Sequence, residues 1–234
     1  MCRDDTGPQP RAGATAPNRP PPVRLECADS IARPPAMTRS APDTSFAPGP
    51  LVLMAMILLA AFSRLLPLPP NFAPIEAIAL FGGAYFANRR LAFVVPVLAM
   101  LLADLALGLL RGQAYLAYFT TAAYLPSLLA NYLCILATVA LAFGLRGRVS
   151  GGRVLGYSLA GSVLFFLVSN FAVWLTAFVV PGYPACDAGL LPCYVAAVPF
   201  FKTTVLSTLA YSALLFGGFA LLRGRMPVLR AQTV

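Results

Sequence analysis

The chain has 234 residues, 59% of them hydrophobic and 11% charged, against about 25% charged in a typical soluble domain. With a mean hydropathy of +0.77, this excludes a water-soluble globule and leaves a small polytopic membrane protein. The net charge of +9 would suggest nucleic acid in a soluble chain, but the basic residues sit in short gaps between apolar runs. They are topology signals, and no nucleic-acid partner is expected.

Residues 1–50 form a Pro/Arg-rich tail holding 11 of the 22 prolines, with no apolar periodicity. Such a segment buries too little apolar surface to offset its ordering entropy, so a disordered tail is expected. It is either a functional cytoplasmic arm or the product of a start called too far upstream, with Met37 as the alternative start. A secretory signal peptide does not fit, because further spans follow and the n-region would be far too long.

Apolar runs follow at roughly 51–67, 72–87, 91–111, 117–145, 154–180 and 196–222, against the roughly 20 helical residues that cross a bilayer. The fold class expected is all-α: a polytopic membrane bundle of about six transmembrane helices over 51–222, with a short basic cytoplasmic tail at 223–234. The second run is marginal in length, and Gly82-Gly83 should bend it or admit a close neighbour. The over-long fourth run should kink at Pro126.

A cytoplasmic N-terminus places Arg89, Arg90, Arg146, Arg148 and Arg153 in cytoplasmic gaps and Arg223, Arg225 and Arg230 in the C-terminal tail. Only Arg111 falls in an outer gap. The positive-inside rule therefore puts both termini in the cytoplasm of a multi-pass membrane protein. The last outer gap carries Cys186 and Cys193, which either close a small disulfide loop or remain free thiols, as geometry decides. Cys134 lies in an apolar run and reads as a packing residue.

The sequence contains no histidine, which excludes Ser-His-Asp and Cys-His catalysis and His-ligated zinc or haem. There is no phosphate loop of the G-x-x-x-x-G-K-[ST] type. No enzyme activity, cofactor or metal is expected.

Four ionisable residues lie within or at the edges of the spans: Arg64, Glu76, Asp104 and Lys202. A charge at a helix centre costs about 2.5–3.5 kcal/mol on insertion scales, so each must snorkel, pair or face a wet cavity. On the topology above all four fall in the outer half of the bilayer, as expected for a polar pocket opening outward. Asp104 is deepest, about two turns from the outer end of its helix, with Arg64 or Lys202 as its partner. Asn71, Asn170, Trp174, Tyr183 and Tyr194 gather at the same level. Aromatic belts account for the rings, whereas Asn170 seeks a hydrogen-bond partner.

The stretch from Arg64 through Pro74, the run Ala79–Phe86, Pro96–Asp104, Phe165–Asn170 with Trp174, and Tyr183 to Phe201 resemble an uncharacterised bacterial family associated with membrane transport. That family is in turn similar to the substrate-binding (S) components of energy-coupling-factor (ECF) transporters, six-helix proteins that capture vitamins or related micronutrients. Family members often carry histidine where this chain has Leu68, so no role of that histidine transfers. The shared depth makes Arg64, Asn71, Glu76, Asp104, Asn170, Trp174, Tyr194 and Lys202 the expected solute-binding set, and the resemblance implies a transport protein of the bacterial plasma (inner) membrane that captures a small solute. It also implies a separate energising transmembrane/ATPase module as partner, which Ala99-x-x-x-Ala103 would seat if it does not pack internally. The alternative is a non-transport membrane scaffold or assembly protein whose buried charges form structural ion pairs.

Overall fold

A computed structural model describes residues 48–180, 183–226 and 229. The chain divides into Met1–Asp43 and Thr44–Val234, and all described residues belong to the second unit. Residues 1–47 of the expected tail, the Met37 start, Cys2, Cys27 and Arg230 lie outside them, whereas Pro48, Gly49 and Pro50 are helical rather than part of a tail.

Among the described residues the structure is entirely helical or irregular. Its elements are α1 (Pro48–Phe62), α2 (Ile75–Tyr85), α3 (Arg89–Arg111), α4 (Gln113–Thr120), α5 (Leu125–Ala142), α6 (Gly151–Ala177), α7 (Pro184–Asp187), α8 (Leu190–Ser212) and α9 (Gly218–Arg225). A π-helical turn, Ala213–Gly217, joins α8 to α9 in one helical stretch. Among the described residues, four helical segments are long and apolar enough to cross a membrane: Arg89–Arg111, Ala122–Leu145, Gly151–Ala177 and Leu190–Arg225. The first two expected spans are the shorter apolar helices Gly49–Leu65 and Ile75–Tyr85. The expectation of six spans thus reduces to four of sufficient length plus two shorter helices, and the chain is a membrane protein by this criterion.

α2 is the centre of the bundle. Every residue from Glu76 to Tyr85 is buried, and α1, α3, α5, α6 and α8 all pack on it. Small residues permit this. A Cβ on Gly83 would lie 2.6 Å from both Ala142 Cβ and Val139 O on α5, and one on Gly82 would lie 2.8 Å from Pro96 Cγ on α3. The glycine pair admits neighbours on both sides, as small-residue packing between membrane helices requires.

α3 shows how sequence sets the packing. Asn88 caps its start, accepting from the Arg90 amide at 2.8 Å, and Gly112, at φ +71°, ends it. Ala92, Val95, Ala99, Ala103 and Leu107 fall on one buried stripe, while Leu98, Leu101, Leu105 and Leu109 are exposed, as lipid contact requires. Ala99 and Ala103 are fully buried, so that small-residue pair packs within the chain and seats no external helix. Pro126 stands at the start of α5; the fourth run breaks there into α4, a short turn and α5. Proline suits the first turn, where its missing N–H is not needed, so the expected kink is a helix start.

Arginines gather at one end. Arg146 donates to Gly83 O and Phe86 O at 2.9 Å each, satisfying carbonyls at the C-terminus of α2. Arg153 donates to Gly144 O at 2.7 Å, and Arg223 lies over the Tyr85 ring. At the other end, Cys186 and Cys193 form a disulfide with Cα atoms 4.1 Å apart. Cys134 is a buried free thiol.

Candidate functional site

The polar residues of the bundle converge away from the arginine end. After α1 a single 3-10 turn, Ser63–Leu65, carries Arg64. The chain then runs without helix through a Pro-Pro-Asn-Phe turn, in which Phe72 N–H donates to Pro69 O at 3.0 Å. Asn71 takes a left-handed conformation there (φ 61°), which Asn tolerates better than most residues. Non-helical backbone in a membrane protein belongs where it lines a cavity, and this segment does so.

Two cavities of about 300 and 440 Å³ lie here. The smaller is bordered by Arg64, Arg111, Tyr115 and residues 68–73, and it reaches Glu76. The larger is bordered by Ser127, Ser169, Asn170, Tyr183 and the disulfide. Asn71, Asn131, Phe165 and Thr204 border both, so the two meet along a shared wall.

Beside them stands a closed polar network. Arg64 Nη1 forms an ion pair with Asp104 Oδ1. Tyr115 OH donates to the same oxygen at 3.0 Å and Tyr132 OH to Oδ2 at 2.8 Å. Arg64 Nη2 is 3.4 Å from Tyr115 OH. Charge-assisted bonds of this kind fix geometry as well as charge. Asp104 borders a void of about 40 Å³, and Arg64 borders both that void and the 300 Å³ cavity. Through this pairing the carboxylate fixes the guanidinium that borders the 300 Å³ cavity.

Glu76 sits in the first turn of α2 at 2% exposure. Its Oε2 lies 3.2 Å from Thr208 Oγ1, whose single proton is also within reach of Thr204 O at 2.9 Å, and its Oε1 has no hydrogen-bond partner among the described residues. Asn170 donates to Phe166 O within its own helix at 2.8 Å and borders the larger cavity.

Three residues expected at the pocket are placed elsewhere. Lys202 is exposed on α8, where a long aliphatic stem lets its ammonium reach the interface; Arg64 is the partner of Asp104. Trp174 packs between Phe171 and Phe178, with ring centroids 5.7 and 5.0 Å away, and against the disulfide cluster. Tyr194 donates to Leu167 O at 2.5 Å and tethers α8 to α6. Sequence reasoning missed Tyr115, Tyr132, Asn131, Thr204 and Thr208. The adjacent pair Asn131-Tyr132 inside an apolar run was the available signal, by the same logic that singled out Asn170.

A larger groove of about 790 Å³, between α6 and α8–α9 near Arg223, is walled mainly by hydrocarbon and brings few polar groups together. No metal-binding cluster of His, Cys, Asp or Glu occurs among the described residues. No curated protein and no solved structure matches the chain. Residues 44–229 match DUF6580, a family of unknown function, and the chain belongs to that family.

Proposed function

We propose that the protein is a membrane transport component that captures a small polar solute in the paired cavities around Asn71 and Asn131. The observation that carries the reading is the 300 Å³ cavity bordered by Arg64 and Arg111 and reaching a buried carboxylate, in a chain otherwise built of apolar helices. Ionisable groups at such depth mark solute or ion pathways. Arg64 and Arg111 suit an anionic group of the solute, Asn131 and Thr204 hydrogen-bond its polar atoms, and Phe165 faces a ring. A vitamin or micronutrient of amphipathic character has this chemistry.

On this reading the arginine end faces the cytoplasm of a bacterial inner membrane and the cavities open outward. The protein performs no covalent chemistry, and a separate energising module, as in the ECF transporters it resembles, drives uptake. The Arg64–Asp104–Tyr132 network favours a second reading, a scaffold held by structural ion pairs. Purified protein melted across a panel of vitamins and related solutes separates the two, because a ligand that binds the native state stabilises it. A solute-dependent rise that disappears in Asn131→Leu supports capture; a flat panel supports the scaffold.

A further inference from the structure

Behind the cavity, four helices each bring one buried oxygen-bearing side chain to the same place. Glu76 on α2 is 2% exposed, Thr138 on α5 1%, and Ser162 on α6 and Thr208 on α8 both 0%. Among the described residues, Glu76 Oε1, Thr138 Oγ1 and Ser162 Oγ have no hydrogen-bond partner, a costly state for buried polar atoms.

Their convergence follows from contacts on three sides. A Cβ on Gly161 would lie 3.5 Å from Thr138 Cγ2 and 3.7 Å from Glu76 Cβ, so α2, α5 and α6 meet there. Thr208 Oγ1 lies 3.2 Å from Glu76 Oε2, with its proton also in reach of Thr204 O at 2.9 Å, which brings in α8. Ser158 Oγ donates to Ser212 Oγ at 2.9 Å between α6 and α8. One turn along these antiparallel helices, the same register sets Ser162 opposite Thr208.

Charge completes the case. None of the hydrogen bonds or ion pairs of Glu76 among the described residues is with a basic side chain. The N-terminus of α2 offers the carboxylate only partial compensation, equivalent to about half a charge. One carboxylate among neutral hydroxyls is a hard, all-oxygen donor set with a single negative charge, which matches a monovalent cation better than a divalent one. We propose that Glu76, Thr138, Ser162 and Thr208 form a sodium site at the inner limit of the 300 Å³ cavity, through which the ion enters.

The test uses the purified full-length protein without any solute, so this inference and the transport reading can fail separately. Melting temperature is measured against NaCl, KCl and choline chloride at constant ionic strength, with radioactive sodium binding alongside. The expected result is a saturable rise in NaCl alone, with stoichiometric sodium bound. Glu76→Gln should abolish both. Ser162→Ala removes an unpartnered hydroxyl, so it should fold normally while weakening sodium binding about tenfold or more. Thr138→Val should behave likewise, and these two variants carry the test if Glu76→Gln fails to fold. Equal stability in the three salts with no bound sodium overturns the site, as does undiminished sodium binding in Ser162→Ala and Thr138→Val.

Discussion

Replacing Asp104 with asparagine isolates the charge of the Arg64 network from its shape. The asparagine carbonyl can accept from Arg64 and Tyr115 as Oδ1 does. Tyr132 OH, a donor to Oδ2 at 2.8 Å, can turn and accept from the new amide. The hydrogen bonds survive, and what is lost is the counter-charge of a guanidinium only 17% exposed. Breaking a buried pair by removing one partner costs about 3–5 kcal/mol. Arg64 also borders the 300 Å³ cavity and can hydrate there, which places the cost near the lower end, about 3 kcal/mol. That is a shift of roughly a hundredfold in the folding equilibrium and about 6–12 °C in melting temperature for a chain of this size. Thermal unfolding in detergent reads it directly. Adding Arg64→Gln should recover part of the loss, with a coupling of about 1–3 kcal/mol in the double-mutant cycle. An unchanged melting temperature in Asp104→Asn would refute the claim that this carboxylate holds Arg64 in place.

Gly83→Ala should destabilise by about 1–3 kcal/mol through overpacking, because its Cβ would fall 2.6 Å from Ala142 Cβ and Val139 O; thermal unfolding checks it. Replacing both Cys186 and Cys193 with serine should cost about 2–3 kcal/mol, the loop-closure value for so short a ring, as read by thermal unfolding under non-reducing conditions. Reporter fusions after Arg90, Arg148 and Arg225 should read cytoplasmic and one at Ala188 external. A cytoplasmic signal at Ala188 contradicts the orientation.

The helices were legible because apolar run length and glycine or proline punctuation are local signals. The run around 91–111 became α3 with its cap at Asn88 and its stop at Gly112, and Gly82-Gly83 marked a close approach that α2 makes on two sides. The break before α5 was not read correctly, because proline kinks a helix interior but favours its first turn, and the sequence does not say which turn Pro126 occupies. Among the candidate residues, Arg64, Asn71 and Glu76 border one cavity because a single short connection carries all three. Depth alone could not separate Arg64 from Lys202 as the partner of Asp104, since depth leaves the rotation of each helix about its axis undetermined. For the same reason Trp174, at the expected level, faces the disulfide rather than the cavity. Tyr115 and Tyr132 escaped notice because an interfacial tyrosine and a hydrogen-bonding tyrosine look alike in sequence.

The central claim is that the cavities shared by Asn71 and Asn131 open to the outside and hold a solute. Ser169→Cys, made in a chain lacking Cys134, provides the most direct measurement: its rate of modification by a membrane-impermeant thiol reagent in intact cells. Ser169 borders the larger cavity and is not one of the groups assigned to the solute, so the account predicts modification from the outer face, slowed by whichever solute raises the melting temperature. Modification only from the arginine-rich face, or an outer-face rate that no solute changes, would contradict it.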